Sequence, residues 1–311
     1  MLFGSKKHQD FVLEKAQRYA EDLDVRLIFG AMVGSVSRGI QRADSDYDTR
    51  FLYLRKDFPE KICLPYQMGE DELVHRLWTG HPILERIPLW EATSFLHFLL
   101  EPRFTDETSE ALYAIVGWTL QAPYVWDPYG LHSKLMPLVN RIFRKEYVIS
   151  YYKTKVLEKY RPLLLQEMTP FKAYLYSVHA AASIEWCVRY SEFPPVDLET
   201  LLRGLGRIAM WEETKRVLYQ ARKDVRQVWE KSDSPQNLVV SISPTVLIPN
   251  NQVLLEYINT AFCQADLALE DTKSTNNFST DDAQAIVNSM YSIIYRSVFE
   301  NDEQLDFDWK M

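Results

Sequence analysis

Two acidic residues separated by a single position, Asp46 and Asp48, are the part of this sequence best suited to chemistry. If they lie on a strand that continues into the apolar run at 51–54, the alternation of side chains points both carboxylates to one face, roughly 6–7 Å apart. Like charges at that distance repel unless a cation lies between them. Mg²⁺ prefers oxygen ligands and is commonly held by one or two carboxylates together with substrate phosphates. The spacing therefore predicts that Asp46 and Asp48 bind Mg²⁺ (or Mn²⁺) for phosphoryl chemistry.

A glycine-serine pair, Gly34-Ser35, follows an apolar run and precedes the two aspartates. Because glycine carries no side chain, the backbone N–H groups of a turn at this position can approach a phosphate closely. Arg38 and Arg50 are further candidates for phosphate contacts, since a guanidinium presents paired donors. Arg50 alternates onto the same strand face as Asp48, and an ion pair with an aspartate is equally consistent with that spacing.

The elements that must position these residues follow from the hydrophobic pattern. Helical spacing predicts a helix at 6–23, and apolar runs predict strands at 25–33 and from Asp46 to Leu54. Further strands are predicted at 72–79 and 83–87, before a helix at about 90–100. From residue 108 onward the pattern is mainly helical, with helices predicted at 108–120, 130–145, 147–166, 170–191, 197–205, 211–231, 251–269 and 281–299. These patterns predict an α+β fold in which a small mixed-sheet domain (1–107) precedes a mainly helical domain (108–311).

The stretch around the two aspartates resembles the polymerase-β-type nucleotidyltransferase superfamily. Its motif is a Gly-Ser or Gly-Gly pair followed after about ten residues by Asp-x-Asp or Asp-x-Glu on a strand. The resemblance is closer to predicted nucleotidyltransferases that carry a Gly-Ser…Ser-Asp-Tyr-Asp-x-Arg-Phe signature and are associated with RNA repair in bacteria and their viruses. The matching positions are Gly34, Ser35, Gly39, Asp44, Ser45, Asp46, Tyr47, Asp48, Arg50, Phe51 and Tyr53. A plain Asp-rich turn between two strands is the alternative, since Asp, Ser and Gly favour turns.

The resemblance implies a third carboxylate on a neighbouring strand, as a metal ligand or as the base for an acceptor hydroxyl. Glu85 is our candidate, although it lies one residue before the family position, which Arg86 occupies. A shift of one residue on a strand changes the face, so Glu72 and Glu91 remain alternatives. The following helix and turn lack the lysine and the Lys-Ser-Asn-Pro sequence that are usual in the family.

A basic, tyrosine-containing stretch in the helical part suits contacts with phosphates and stacked bases. Its basic residues between 134 and 161 are Lys134, Arg141, Arg144, Lys145, Lys153, Lys155, Lys159 and Arg161. We assign Lys153, Lys155 and Lys159 as candidate acceptor-binding residues, while a solvated helix face is the alternative interpretation.

Composition sets broad limits on function. Hydrophobic residues make up 47% and charged residues 25% of the 311 residues, which is typical of a globular protein. The net charge of −8 argues against indiscriminate nucleic-acid binding, which needs broad positive potential. The three widely separated cysteines have no metal-ligand spacing and fit reduced thiols. With no signal peptide and no apolar run near 18 residues, we expect a cytoplasmic protein without membrane contact; its oligomeric state does not follow from the sequence.

Two functions remain open at this point. The first is an enzyme that transfers a nucleoside monophosphate from a nucleoside triphosphate to an acceptor hydroxyl on RNA, a protein or a small molecule. The second is a nucleotidyltransferase-fold module that binds a nucleotide or a partner protein without turnover. A third carboxylate on the metal face favours the enzyme, and its absence favours the module.

Overall fold

The structure is a computed structural model of the chain. It describes residues 6–41, 48–55, 74–81, 84–100, 107–122, 124–230, 247–272 and 280–300. Asp44, Asp46 and Glu72 lie outside these ranges. Side chains are described for a smaller set, which leaves out residues 56–86, and with them the side chain of Glu85.

A mixed five-stranded sheet forms the N-terminal part of the fold. Its strands are β1 (Val25–Met32), β2 (Thr49–Arg55), β3 (Val74–His81), β4 (Leu84–Glu91) and β5 (Tyr124–Trp126). They are arranged in the order β3-β4-β2-β1-β5, and β2 and β4 are parallel while the other neighbouring pairs are antiparallel. The predicted mixed sheet is therefore confirmed.

Two strand boundaries differ from the predicted ones. Strand β2 begins at Thr49, so Asp48 directly precedes it. Strand β4 continues through Pro88 to Glu91, where the sequence predicted an end at residue 87. Because β4 pairs with a strand on each side and Leu89 is fully buried, pairing and burial outweigh the missing N–H of the proline.

The rest of the described chain is mainly helical, as predicted. The helices are α1 (Lys6–Asp22), α2 (Gly34–Ser37), α3 (Ala92–His97), α4 (Glu107–Gln121), α5 (Leu131–Arg141), α6 (Lys145–Tyr151), α7 (Lys159–Leu164), α8 (Phe171–Tyr190), α9 (Leu198–Gly204), α10 (Ile208–Glu230), α11 (Gln252–Thr272) and α12 (Thr280–Tyr295). A π-helical segment, Tyr152–Glu158, joins α6 to α7 without a break, and a second one, Arg296–Glu300, follows α12. A short pair of strands, β6 (Met168–Pro170) and β7 (Leu247–Pro249), connects the start of α8 to the start of α11.

The two faces of the sheet pack against different helices. On one face, Phe51 and Tyr53 of β2 pack with Val12 and Ala16 of α1. On the other face, Leu52 and its neighbours join one continuous core that extends through the helices as far as α12. The alternation of β2 residues between these two cores confirms the predicted strand period of two. The division into domains at residue 107 stays a prediction.

Within the part of the chain that the structure describes, no helix combines the length and the apolar character needed to cross a membrane.

Candidate functional site

Asp48 lies at the point where β1 and β2 stop pairing. The backbone N–H of Val33 donates to the Asp48 carbonyl over 2.9 Å, one position beyond the pairing of Met32 with Thr49. This places the Asp48 carboxylate beside Gly34, whose φ is +71°. A Cβ added to Gly34 would lie 2.0 Å from Asp48 Oδ2, so only glycine lets the carboxylate pack against the turn. Gly34 therefore makes room for the Asp48 carboxylate, in addition to any phosphate that approaches the turn.

The Gly-Ser turn is a single helical turn, α2. Ser37 Oγ donates to the Gly34 carbonyl over 3.0 Å, and the N–H of Ile40 donates to the Ser35 carbonyl over 3.1 Å. The Ser35 side chain is buried, and its hydroxyl has no hydrogen-bond partner among the described residues. Buried hydroxyls are usually satisfied, so Ser35 retains capacity for a ligand atom. Its predicted role in nucleotide binding stays a prediction.

Arg38 follows α2 and lies between two aromatic rings. Its Nη1 donates to the Gly34 carbonyl over 2.8 Å. The guanidinium carbon is 5.1 Å from the centre of the Tyr176 ring and 5.5 Å from that of Trp118. Cation–π attraction at these distances holds the guanidinium in place while leaving it charged. Arg38 is therefore fixed next to Gly34 with its positive charge intact.

Arg50 projects from β2 toward α4. Its guanidinium donates to Thr119 Oγ1 and lies 5.3 Å from the centre of the Trp90 ring, and its Nε has no hydrogen-bond partner among the described residues. Burial lowers the pKa of Arg50 to about 10; the nearby Asp48 carboxylate opposes this and Arg38 adds to it. Arg50 is still protonated at neutral pH, so Asp48, Arg38 and Arg50 share one electrostatic environment.

The helical part of the fold holds the loop that carries Arg38. The N–H of Leu198 donates to the Arg38 carbonyl over 3.1 Å. The following residue, Gly39, has a φ of +70°, and a Cβ there would lie 2.7 Å from Asp197 Oδ2. Asp197 also caps α9 by accepting from the N–H of Thr200 over 2.8 Å. The position of Arg38 thus depends on contacts with residues far away in the sequence.

Neither of the two carboxylates predicted to act with Asp48 has a described side chain. Asp46 lies outside the described residues, and so does the side chain of Glu85. Strands β2 and β4 pair Phe51 with Leu89, and extending this register by three residues sets Asp48 opposite Arg86 rather than Glu85. A bulge in β4 would be needed to bring Glu85 to that position. Glu85 as metal ligand or base stays a prediction.

Glu91, one of the alternatives, has a structural role. It pairs with Tyr53 in the β2–β4 register, which is five residues, or roughly 16 Å, along the strand from Asp48. Its carboxylate caps α3, accepting from the N–H of Ser94 over 2.7 Å and from Thr93 Oγ1 over 2.6 Å. Glu91 therefore lies too far along the strand from Asp48 for the two carboxylates to bind one cation.

Among the described residues, no group of three or more His, Cys, Asp or Glu side chains is arranged to hold a metal ion. Of the three predicted ligands, only the Asp48 side chain is described, so the fit of a cation is judged on that residue. Its carboxylate lies beside the Gly-Ser turn and supplies the hard oxygen ligand that Mg²⁺ prefers. Asp48 therefore fits a divalent cation that also contacts phosphates at the turn.

The three lysines predicted to bind the acceptor do not share one environment. Lys153 Nζ lies 2.6 Å from Asp266 Oδ1 of α11, and this hydrogen bond raises the pKa of Lys153. Lys155 is half-buried on the same π-helical segment, whereas Lys159 is exposed, with its Nζ 5.5 Å from the centre of the Tyr160 ring. Lys153 thus has an ion-pair partner within the protein, and the acceptor role of Lys153, Lys155 and Lys159 stays a prediction.

Five residues around the two arginines were missed as site residues by the sequence reasoning. They are Trp90, Trp118, Thr119, Tyr151 and Tyr176. Tyr151 was noted only as part of the basic, tyrosine-containing stretch, and the other four were given no binding role. Thr119 is 69 positions from Arg50 in the sequence, so no spacing rule connects the two.

The sequence is similar to a protein family and to a bacterial protein. The sequence model of the RNA repair pathway DNA polymerase beta family matches residues 9–74, which include α1, β1, α2 and β2. The uncharacterized protein YcgL of Bacillus subtilis (strain 168) is 20% identical to this chain over 194 residues, which are 62% of this chain and 68% of that protein. No solved structure matches the chain.

Proposed function

We propose, on the premise that residues 9–74 belong to the polymerase-β-type nucleotidyltransferase family, that this protein transfers a nucleoside monophosphate from a nucleoside triphosphate to an acceptor hydroxyl. The acceptor oxygen forms a bond to the α-phosphorus, and the bond from that phosphorus to the β-phosphate oxygen breaks. Pyrophosphate leaves, and the hydroxyl proton passes to a base or to water.

The observation that carries this proposal is the meeting of one carboxylate and two guanidinium groups at the Gly-Ser turn. Asp48 packs against Gly34, and Arg38 donates to the carbonyl of the same glycine. Arg50 is close enough to both for their charges to affect its pKa. A triphosphate with a divalent cation needs this combination, because the cation is held by carboxylates and the phosphate oxygens by cationic donors.

The residues take distinct roles in this proposal. Asp46 and Asp48 would hold Mg²⁺ or Mn²⁺, with Glu85 as the third ligand or as the base for the acceptor. The cation, when bound, would neutralise phosphate charge at the reacting centre. Arg38 and Arg50 bind and orient the phosphates, and Ser35 offers its unpartnered hydroxyl to them. The RNA repair pathway of the matching family favours an RNA end as acceptor over a protein or a small molecule.

A second candidate is a module that binds the nucleotide without turnover. It is favoured by the β2–β4 register, which sets Arg86 and not a carboxylate opposite Asp48 when it is extended toward the start of both strands. Without a third carboxylate, the site would lack a ligand or a base on that strand.

A labelling experiment tests the proposal. The protein is incubated with each α-labelled nucleoside triphosphate, Mg²⁺ or Mn²⁺, and three acceptors in parallel: total RNA, tRNA and lysate protein. We expect label on one acceptor class, lost in Asp48→Asn, because that change keeps the side-chain size and removes the charge a cation needs. Asp10→Asn, at an exposed position of α1, is the matched control and should label normally. Nucleotide binding with no label on any acceptor would favour the module, and an absence of nucleotide binding would contradict both.

A further inference from the structure

We propose that three half-buried tyrosines of the helical part, Tyr151, Tyr160 and Tyr176, form a stacking surface for a nucleobase next to the phosphate site; this rests on the function proposed above. We call these residues the tyrosine cluster. The base would belong either to the nucleoside triphosphate or to the terminal nucleotide of the acceptor. Both present the same π face, and the experiment below distinguishes them.

The three residues of the tyrosine cluster lie on α6, α7 and α8, and Tyr176 is the one whose ring contacts Arg38. Tyr160 of α7 and Tyr176 of α8 have ring centres 6.4 Å apart, with an interplanar angle of 57°. Tyr176 lies 5.1 Å from the Arg38 guanidinium, whose other neighbour is Trp118. Tyr151 of α6 in turn lies 4.6 Å from Trp118. The rings therefore continue outward from the residue that we assign to phosphate binding.

Electrostatic interactions also link Tyr151 to the two arginines and to the other two tyrosines. Burial raises the pKa of Tyr151; Arg38 and Arg50 lower it, while Tyr176 and Tyr160 raise it further. Tyr151 therefore lies within the electrostatic influence of both arginines and of the other two tyrosines. A positive centre beside aromatic faces is a common arrangement for binding nucleotides, since bases stack on the rings and phosphates pair with the guanidinium groups.

The exposure of these rings distinguishes them from the structural tyrosines of the core. Tyr113 is fully buried, and its hydroxyl donates to the Ile142 carbonyl over 2.9 Å. Tyr174 is also fully buried and bonds to the backbone of Asn251. Every member of the tyrosine cluster instead remains partly accessible. Tyrosines that only filled the core would be expected to resemble Tyr113 and Tyr174.

Inorganic tripolyphosphate separates base stacking from phosphate binding, because it has the phosphates of a nucleotide and no base. Affinities of the Mg²⁺ complexes of each nucleoside triphosphate and of tripolyphosphate are measured by calorimetry for the wild type, Tyr160→Leu and Tyr176→Leu. We expect nucleoside triphosphate affinity to fall roughly 5- to 100-fold, because base–aromatic stacking is lost. In Tyr160→Leu, tripolyphosphate affinity should stay within about twofold of the wild-type value, since the described contacts of Arg38 do not include Tyr160.

Three further variants make the result specific. Tyr160→Phe and Tyr176→Phe keep the rings and should retain nucleotide affinity. These variants can still be measured if a leucine variant folds poorly. Tyr219→Leu, at a tyrosine of α10 that is 71% exposed, is the matched control and should bind as the wild type does.

The outcomes separate the two possible sources of the base. If the base belongs to the acceptor, the leucine variants keep nucleoside triphosphate affinity and lose affinity for a single-stranded RNA oligonucleotide. If Tyr160→Leu and Tyr176→Leu bind both nucleoside triphosphate and the RNA oligonucleotide with unchanged affinity, the inference is overturned while the proposed function stays intact. A wild-type protein that binds neither nucleoside triphosphate nor tripolyphosphate would overturn the proposed function, and this inference with it.

Discussion

Two pairs of arginines in this protein lie in opposite surroundings. Arg189 and Arg207 pair with the buried carboxylate of Glu185, their Nη2 atoms lying 2.6 and 2.9 Å from its Oε1. The hydroxyl of Tyr257 donates to the other oxygen over 2.8 Å. The hydrogen bond to Glu185 raises the pKa of Arg207. This network joins α8, the residue before α10, and α11, and it sets two arginines on one buried carboxylate within the protein.

Arg38 and Arg50 hydrogen-bond to neutral groups and pack on aromatic rings instead, while the nearby Asp48 carboxylate raises the pKa of Arg50. Their described partners are a carbonyl, a hydroxyl and three aromatic rings. Burial lowers the pKa of Arg50 to about 10, which is the opposite direction from Arg207. Asp48 offsets only part of the effect of burial, so holding this positive charge costs stability that a bound anion would recover. The comparison indicates that the Glu185 network stabilises the fold, whereas the Arg38–Arg50 pair is arranged for an anionic ligand.

The largest expected effect is on turnover, from Arg50→Met. Losing a positioned donor to the phosphates should lower the labelling rate by about 10²- to 10³-fold. Stability to urea should be unchanged or slightly higher, because a buried charge is removed. Arg207→Met is the control, and its nucleotide affinity should equal that of the wild type. Similar losses of nucleotide affinity in the two variants would remove the distinction between the two arginine pairs.

The next effect concerns the Glu185 network. The double change Arg189→Met with Arg207→Met leaves a buried carboxylate with Tyr257 alone. We expect the free energy of unfolding to fall by about 2–3 kcal/mol, below the usual value for breaking a buried pair because both arginine side chains are nearly half exposed. Adding Glu185→Leu should restore much of the loss, since the uncompensated charge disappears. Urea denaturation measures both steps, and no recovery in the triple variant would argue against this account.

Gly34→Ala should act on the site and on stability together. The residue has a φ of +71°, and a Cβ would collide with the Asp48 carboxylate, so we expect a loss of about 2 kcal/mol. Because Asp48 must move, metal and triphosphate affinity should fall together. Gly206→Ala is a close control, since Gly206 has the same φ with nothing within 4 Å of the added Cβ. It should lose about 1 kcal/mol and keep its nucleotide affinity. Unchanged metal affinity in Gly34→Ala would contradict the described position of Asp48.

The last prediction is a pH dependence at His179, which is buried on α8 and donates from Nε2 to the Val196 carbonyl over 2.9 Å. Burial lowers the pKa of His179 from 6.5 to about 3, and the charge of Arg38 adds to this. Below pH 6.5 the unfolded chain takes up a proton that the folded protein does not. Stability should therefore fall by roughly 1.4 kcal/mol per pH unit as pH drops from 6.5 toward 3.

Variants at two positions test this pH dependence. His179→Gln should flatten the slope in this range, because the titrating group is gone. Arg38→Met should shift the lower end of the window upward, since one cause of the lowered pKa of His179 is removed. Denaturation midpoints at several pH values measure both effects. A wild-type slope retained in His179→Gln would assign the pH dependence to another group.

Local features were predictable from the sequence, because they depend on short-range spacing. The alternation in β2, the turn at Gly34-Ser35 and the order of sheet and helices follow from hydrophobic period and turn chemistry. The resemblance of residues 34–53 to the nucleotidyltransferase superfamily rests on the same kind of signal, a fixed spacing of residue types.

Features that depend on pairing partners were predicted less well. The strand containing Pro88 continues because β4 has a neighbour on each side, which no local pattern reveals. The ion pair of Lys153 with Asp266 joins two segments more than a hundred positions apart, so no local pattern predicts it, and the acceptor role of Lys153 stays a prediction. The extended register that sets Arg86 opposite Asp48 likewise follows from how β2 and β4 pair.

The sequence by itself determined which residues could bind a metal and a phosphate: the aspartates, the Gly-Ser pair and the two arginines. Only the tertiary structure decided what surrounds them. Trp118 and Thr119 of α4 and Tyr176 of α8 reach Arg38 and Arg50 through the packing of helices against one face of the sheet. The physical reason is that spacing along the chain fixes the direction of a side chain within its own element, whereas contacts between elements depend on how their surfaces pack.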